Sequence, residues 1–224
     1  MIPATVSKRR VLQASCLLAL LFAFALAYLS CGGQAVQPPP QAVSTPPPPP
    51  PADPNDLCNC TDTEADSADY RHDAKHMDLP QVTPTDVTVS DILHWDVPPQ
   101  PDFFAARQGR ETQLFHVTNA ILQFAWLRTG DCDLHLEIAD SLDHNAPRII
   151  IETPHMDSFC SARRQLAQQL KAKGFTLNSN SGELPNPVPA DVVGLAFRDF
   201  DHPQRGSVHV ATVWELHPAV VTLK

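Results

Sequence analysis

Basic residues are scarce in this chain. Lys and Arg together number 16 against 25 Asp and Glu, and the formal charge is −9. Leaving out Lys8, Arg9 and Arg10, which precede an apolar run, takes it to −12. A balance of that sign makes attachment to nucleic acid by bulk electrostatics unfavourable. The deficit is concentrated, because eight carboxylates between Asp53 and Asp78 face only Arg71 and Lys75. From Pro101 onward 14 acidic residues meet 11 basic ones, which leaves room for a local basic site. Aromatic residues are few as well, at 7%. None occupies the outward positions of the central strands read below, so stacking platforms for bases are missing. Two familiar metal patterns are also lacking. The four cysteines Cys58, Cys60, Cys132 and Cys160 form one CxC and two distant singles, which is not zinc-site spacing. His72 and His76 stand at i, i+4, where both would face one metal, yet no glutamate follows His72 to complete the zinc-protease motif.

What is present begins with an address. Lys8-Arg9-Arg10 and the apolar or small run from Val11 to Ser30 have the form of a secretory signal or an uncleaved anchor. At about 20 residues the run is just long enough to span a bilayer. Leu29-Ser30-Cys31-Gly32-Gly33 resembles a bacterial lipobox, with Tyr28 where a large aliphatic residue is usual, and marks Cys31 as a lipidation site. Both readings put the bulk of the chain outside the cytoplasm, in the cell envelope and held to the membrane. An oxidising compartment would join the four remaining cysteines as two disulfides, with three connectivities open. Residues 1–31 are therefore expected to be signal or anchor. Residues 32–56 are expected to be a proline-rich linker, since ten of the 23 prolines fall between Pro38 and Pro54. The unbroken run Pro46 to Pro51 favours polyproline II, a stiff spacer. Residues 57–108 read as an acidic, partly ordered extension, with Val87 to Trp95 the piece most suited to a strand or turn against the core.

The domain proper is expected over 109–224. Between Thr112 and Pro154 the pattern gives three consecutive strands. Asp131, Asp133, His135 and Glu137 alternate with Leu134, Leu136 and Ile138, the mark of a strand with one face in a core. Arg148 to Glu152 is a β-branched run bounded by Pro147 and Pro154. Asp157 to Gly174 has a helical apolar stripe (Phe159, Ala162, Leu166, Ala167, Leu170), a capping Asp157 or Ser158, and a glycine stop. Asn178 to Ala190 reads as a proline-rich loop, and Asp191–Phe197 and Val208–His217 as strands four and five. This order, with one helix between strands three and four, is that of a mainly β fold, a five-stranded barrel of the OB-fold type, with an open α+β sheet of the same elements as the competing architecture.

A turn centred near His144 allows two registers between strands two and three, one setting Glu152 opposite His135 and the other opposite Glu137. Either way Asp133, His135, Glu137 and Glu152 share one outward patch, and Glu215 and His217 join it from strand five. Such a donor set suits a divalent metal, calcium or zinc, or general acid–base chemistry. A plain polar outer face is the competing reading. The same hairpin brings Cys132 toward Cys160 and predicts a bridge between them, with Cys58 and Cys60 paired together or elsewhere.

Gly130-Asp131-Cys132-Asp133, Arg148-Ile-Ile-Ile-Glu152-Thr153-Pro154 and Arg205-Gly206 resemble the thermonuclease family, whose OB-fold carries calcium-binding aspartates, a base glutamate and two phosphate-clamping arginines. The resemblance implies a metal role for Asp131 or Asp133, a ligand role for Glu152 and phosphate contacts from Arg148 and Arg205. His155 stands where the family has its base. Asp131 to Ile138 and Trp214 to Pro218 also resemble a group of uncharacterised bacterial secreted proteins, which implies no activity. Three functions are compatible with these readings: a tethered binding module of unidentified ligand, a divergent metal-dependent phosphodiesterase, or a structural component of the envelope.

Overall fold

The computed structural model describes residues 57–60, 62, 69–201 and 208–224. The anchor with Cys31, the proline-rich linker and Arg205 fall outside the described residues. The chain is mainly β. Its strands are β1 (Thr85–Val87), β2 (Leu114–Val117), β3 (Ile121–Leu127), β4 (Leu134–Ala139), β5 (Arg148–Thr153), β6 (Glu183–Arg198) and β7 (Val210–Leu223), and they form one seven-stranded mixed sheet. Among the described residues three α-helices accompany them: α1 (His72–Lys75), α2 (Val89–Leu93) and α3 (Asp157–Ala172).

Five strands pair round into a partly closed ring. β3 is antiparallel to β4 and β4 to β5, through Leu122↔Ile138 and Ile138↔Ile149. β5 runs parallel to β7 through Ile150↔Glu215, β7 is antiparallel to β6 through Val192↔Val221, and β6 returns to β3 through Leu122↔Val188. β2 and β1 extend the sheet from the other edge of β6. At Gly194 a Cβ would fall 2.5 Å from the Ala219 Cβ, so β6 and β7 reach their spacing only with glycine there. The ring encloses Leu122, Leu134, Leu136, Ile138, Ile149, Ile151, Val192 and Leu216, and α3 adds Leu166 and Leu170 to the same core.

Several expectations are corrected. The first of the three expected strands is two, β2 and β3, separated at Thr118-Asn119-Ala120. The Asn119 side chain accepts from the Val89 N–H at 3.1 Å and so ties this break to α2. Residues Val87 to Trp95 supply the end of β1 and the helix α2, capped by a reciprocal Thr88–Asp91 box. The proline-rich segment after Asn178 is not all loop, because β6 starts at Glu183. Pro185, Pro187 and Pro189 alternate, so all three missing N–H groups lie along one edge of the strand. The register with β3 also slips between Val188 and Glu183, where donors are not required. α3 ends near the expected glycine, Gly174 having φ +82°, but its N-cap is Met156 and neither Asp157 nor Ser158 caps it.

The cysteine pairing differs too. Cys58 bridges Cys160 and Cys60 bridges Cys132, with Cα separations of 5.3 and 5.8 Å, so Cys132 and Cys160 are not joined to each other. Arg163 of α3 ties this region together. It is fully buried, and it donates to the carbonyls of Leu57 at 2.7 Å, Thr153 at 2.6 Å and Cys132 at 2.6 Å. The CxC segment is thereby stapled across the end of the β4–β5 hairpin.

Candidate functional site

The β4–β5 register sets His135 opposite Glu152 and Glu137 opposite Ile150, the first of the two arrangements the turn allowed. Parallel pairing with β7 then puts Glu215 beside Ile150 and His217 just beyond, next to Glu152. Asp133, His135, Glu137, Arg148, Glu152, Glu215 and His217 thus gather on one face of three adjacent strands. That face is not outward in the sense of solvent-exposed, because every one of these residues is 4% exposed or less.

Phe124 and Trp126 of β3 flank His135 and Glu183 meets Arg148, while over Asp133, Glu152, Glu215 and His217 the cover comes from residues 69–108. Arg71 makes a two-pronged pair with Glu111 at 2.6 and 2.9 Å, and its guanidinium lies 4.7 Å over the Phe197 ring. Arg107 donates to the carbonyls of Ala74, Glu111, Ala196 and His217. These contacts lay α1 across β6 and β7. Lys75 then enters the polar layer, 3.0 Å from Asp69 and 3.9 Å from Asp199. Burial works against its charge, but Asp199, Glu215, Glu152 and Asp69 outweigh that and raise its pKa. His76 reaches Asp133, Nε2 to Oδ1, at 3.5 Å.

Within the layer Glu152 is the hub. Its Oε1 accepts from His135 Nδ1 at 2.8 Å, and its Oε2 is 3.0 Å from His217 Nδ1. Burial favours the neutral acid, yet the two histidines hold the carboxyl well below its ordinary value. His135 is pushed up to about 9, since Glu137 and Glu152 overcome its burial. His217 is raised well above its ordinary value against the same burial cost, by Asp133, Glu152 and Glu215. Two carboxyls move the other way. Asp131 is pushed up to about 7 by burial and by the charges of Glu152 and Asp133, despite Arg128 at 2.8 Å. Glu215 also rises to about 7, through burial, Asp199 and Glu152. The layer therefore pairs two readily protonated carboxyls with two strongly basic imidazoles.

The nuclease-type residues are differently engaged. Arg148 donates to Glu137 at 3.2 Å, Glu183 at 2.6 Å and the His144 carbonyl at 2.7 Å, so its fork is occupied by protein acceptors. His155 gives its backbone N–H to Asp133 at 2.7 Å. Asp131 and Asp133 are joined locally, the Asp133 N–H donating to Asp131 at 3.1 Å. Among the described residues two groups have ligand atoms close enough for one ion: Asp133, Glu152 and His217, and Asp62, His72 and His76. The i, i+4 spacing of His72 and His76 was the signal for the second group, and their rings stack at 4.0 Å. Lys75, Arg71 and Arg163 gave no signal, because nothing local distinguishes a buried cation from a solvated one.

On the far side of the covering segment is an apolar cavity of about 590 Å³. Met77, Pro80, Phe104, Ala105, Ala106 and Leu195 form its apolar walls, and Arg71, His72, Asp73, Arg107, Glu111 and Thr112 line the rest. Phe104 at its mouth is 78% exposed.

Fold and site together define a mainly β protein with a partly closed strand ring, two disulfides and a buried ionisable layer. Comparison with known proteins finds no match: no family model, no curated protein and no solved structure corresponds to this chain.

Proposed function

We propose that the chain is a membrane-tethered binding module of the cell envelope, built on an OB-fold-like ring, and that it takes a small apolar ligand. The pairing order β3-β4-β5-β7-β6-β3, with α3 between the third and fourth ring strands, supports the OB-type reading. The two disulfides are compatible with a compartment outside the cytoplasm. The OB ligand face would be that of β4 and β5, and here it is closed in part by residues 69–108. The observation that carries the proposal is the cavity beside Phe104. Its volume, and apolar walls edged by the polar side chains of Arg71, His72, Asp73, Arg107, Glu111 and Thr112, are those of a small-molecule site. Engagement of Arg148 by Glu137 and Glu183 argues against the phosphodiesterase alternative, which needs that guanidinium for a phosphate.

Photo-crosslinking in native membranes tests it. An alkyl diazirine probe should label peptides within 71–80 and 104–112 at a single saturable site, and Phe104→Asp should remove most of the label. Labelling that is unsaturable or indifferent to Phe104→Asp overturns the apolar-ligand reading. Calcium-dependent cleavage of single-stranded DNA, lost in Arg148→Ala, overturns it in favour of the enzyme. Intact-mass analysis of extracted protein tests the tether: a lipid adduct on Cys31 is expected, and unchanged processing in Cys31→Ser excludes it.

A further inference from the structure

Building on the apolar-ligand reading of the cavity beside Phe104, we propose that its ligand is a single-chain aliphatic amphiphile with an uncharged hydroxyl head, as in a fatty alcohol or a monoacylglycerol, and that Asp73 receives that head and turns away the matching carboxylate. The walls take the chain. Met77, Pro80, Phe104, Ala105, Ala106 and Leu195 border about 590 Å³, and each methylene that moves from water onto them favours binding.

The polar lining decides the head. A protein holds a carboxylate best with a guanidinium fork that has two N–H groups to give. Arg71, with five N–H groups, already makes five hydrogen bonds. Nε donates to the Ala105 carbonyl at 2.8 Å, Nη1 to Glu111 at 2.6 Å and the Arg198 carbonyl at 3.3 Å, and Nη2 to Glu111 at 2.9 Å and the Ala106 carbonyl at 3.2 Å. Arg107 donates to four carbonyls, those of Ala74, Glu111, Ala196 and His217. What remains of it cannot make a two-pronged contact. Glu111 is occupied in turn, accepting the Arg198 and Gln108 N–H groups at 2.9 and 3.1 Å besides Arg71. An anion taken out of water here would lack a matching fork, which is costly.

The oxygens left on the lining are acceptors. Asp73 stands at the rim with its side chain fully exposed, 3.6 Å from His72 Nδ1. The Thr112 hydroxyl gives its proton to the Gly109 carbonyl at 2.9 Å, so toward the cavity it too accepts. The O–H of an alcohol or glycerol head satisfies such oxygens. A second carboxylate beside Asp73 has no proton to give and is repelled.

The test uses the full chain in phosphatidylcholine nanodiscs, labelled with the alkyl diazirine probe at about pH 8, where a carboxylic acid is ionised. Dodecanol, monododecanoylglycerol and dodecanoate, matched in chain, compete at equal bilayer concentration. The two neutral compounds should displace the label at roughly 10-fold or more lower concentration than dodecanoate. Asp73→Asn, at a fully exposed position, should narrow that gap by about 3–5-fold, the worth of one exposed charge. Dodecanoate displacing as well as the neutral pair overturns the head-group assignment and leaves the apolar-ligand reading standing. A gap unchanged in Asp73→Asn overturns the role of Asp73. Label that no competitor displaces overturns the apolar-ligand reading itself, and the head-group assignment with it.

Discussion

On β4 and β5 the side chains of Leu134, Leu136, Ile138, Ile149 and Ile151 point one way and those of His135, Glu137, Arg148, Ile150 and Glu152 the other, and none on either side is more than 6% exposed. The two faces exclude water for different reasons. The apolar face is closed by the strand ring itself and by α3, and every buried methylene on it contributes about 0.8 kcal/mol. The polar face gains little net stability from its ion pairs, since desolvation offsets most of the attraction. It is dry because Phe124, Trp126 and Glu183 close one end and a separate segment is laid over the other, held by the guanidiniums of Arg71 and Arg107 and anchored upstream by two disulfides. An interior face of a sheet need not be apolar if a covering segment brings matching charges.

The sharpest way to break this comparison is to remove one partner on each face. Leu136→Ala should cost about 2–5 kcal/mol through lost transfer energy and a cavity. Arg148→Met should cost a comparable amount, up to about 3–5 kcal/mol, because buried Glu137 loses its guanidinium partner and is balanced less well by His135 at 3.5 Å. Urea unfolding of the two variants measures both. Adding Glu137→Leu to Arg148→Met should recover most of the loss. If Arg148→Met costs under about 1 kcal/mol, water reaches the polar face in solution and the symmetry between the faces fails.

The staple comes next. Replacing Cys60 and Cys132 together by Ala opens a bridge spanning 72 residues and should cost about 2–4 kcal/mol. The loss should show a spatial signature. Amide exchange should speed up first over 69–78 and in β4 and β5 on the polar side, while the amides of α3 keep their protection. Uniform acceleration across the sheet would mean that the bridge acts on the whole ring and not on its cover.

How far the sequence reveals this arrangement depends on whether a contact is local. The alternation Asp133-Leu134-His135-Leu136-Glu137-Ile138 and the turn at His144 place the β4–β5 side chains, and the apolar stripe of 157–170 places α3. Covering of the polar face is decided by Arg71 and Arg107, whose partners Glu111, Ala196 and His217 lie up to 110 residues away. No periodicity records that. The break between β2 and β3 falls at Thr118-Asn119-Ala120, where only the contact of Asn119 with the Val89 N–H, 30 residues away, shows that the chain turns. The prolines of 185–189 imitate a loop because strand edges tolerate them only in a particular pairing. The i, i+4 pair His72 and His76 was visible, but its neighbour Asp133 was not. The cysteine count was informative and the connectivity was not, since Cys58 and Cys60, 102 and 72 residues from their partners, meet them only through the tertiary fold.

A smaller effect tests the covering segment at its own helix. Thr88 and Asp91 form a reciprocal cap at the start of α2, 2.8 Å from the Thr88 N–H to Asp91 Oδ2 and 3.0 Å from the Asp91 N–H to Thr88 Oγ1. Thr88→Ala should cost about 1 kcal/mol by leaving those helix donors unsatisfied. The same urea series detects it.

The smallest effect sharpens the comparison from outside, where a polar cluster is left in water. His116 of β2 bridges Asp86 of β1 and Asp191 of β6, with both contacts at 2.8 Å, and Lys224 stands 3.3 Å from Asp191. The hydrogen bond to Asp191, then that to Asp86, raises the His116 pKa above its ordinary value. A folded value above the unfolded one means that the protonated imidazole favours the native state. This stabilisation is complete below about pH 6.5, the ordinary histidine value, and is lost as pH rises through the higher folded value. The three side chains are 28%, 74% and 49% exposed, so screening keeps the contribution under about 1 kcal/mol. The difference in unfolding free energy between the wild type and His116→Gln should therefore be largest near pH 6 and shrink toward pH 9, and added salt should flatten it. A difference that does not change with pH would assign the effect to packing of the ring and not to its charge. The exposed and buried polar clusters would then be alike in depending on contact more than on protonation.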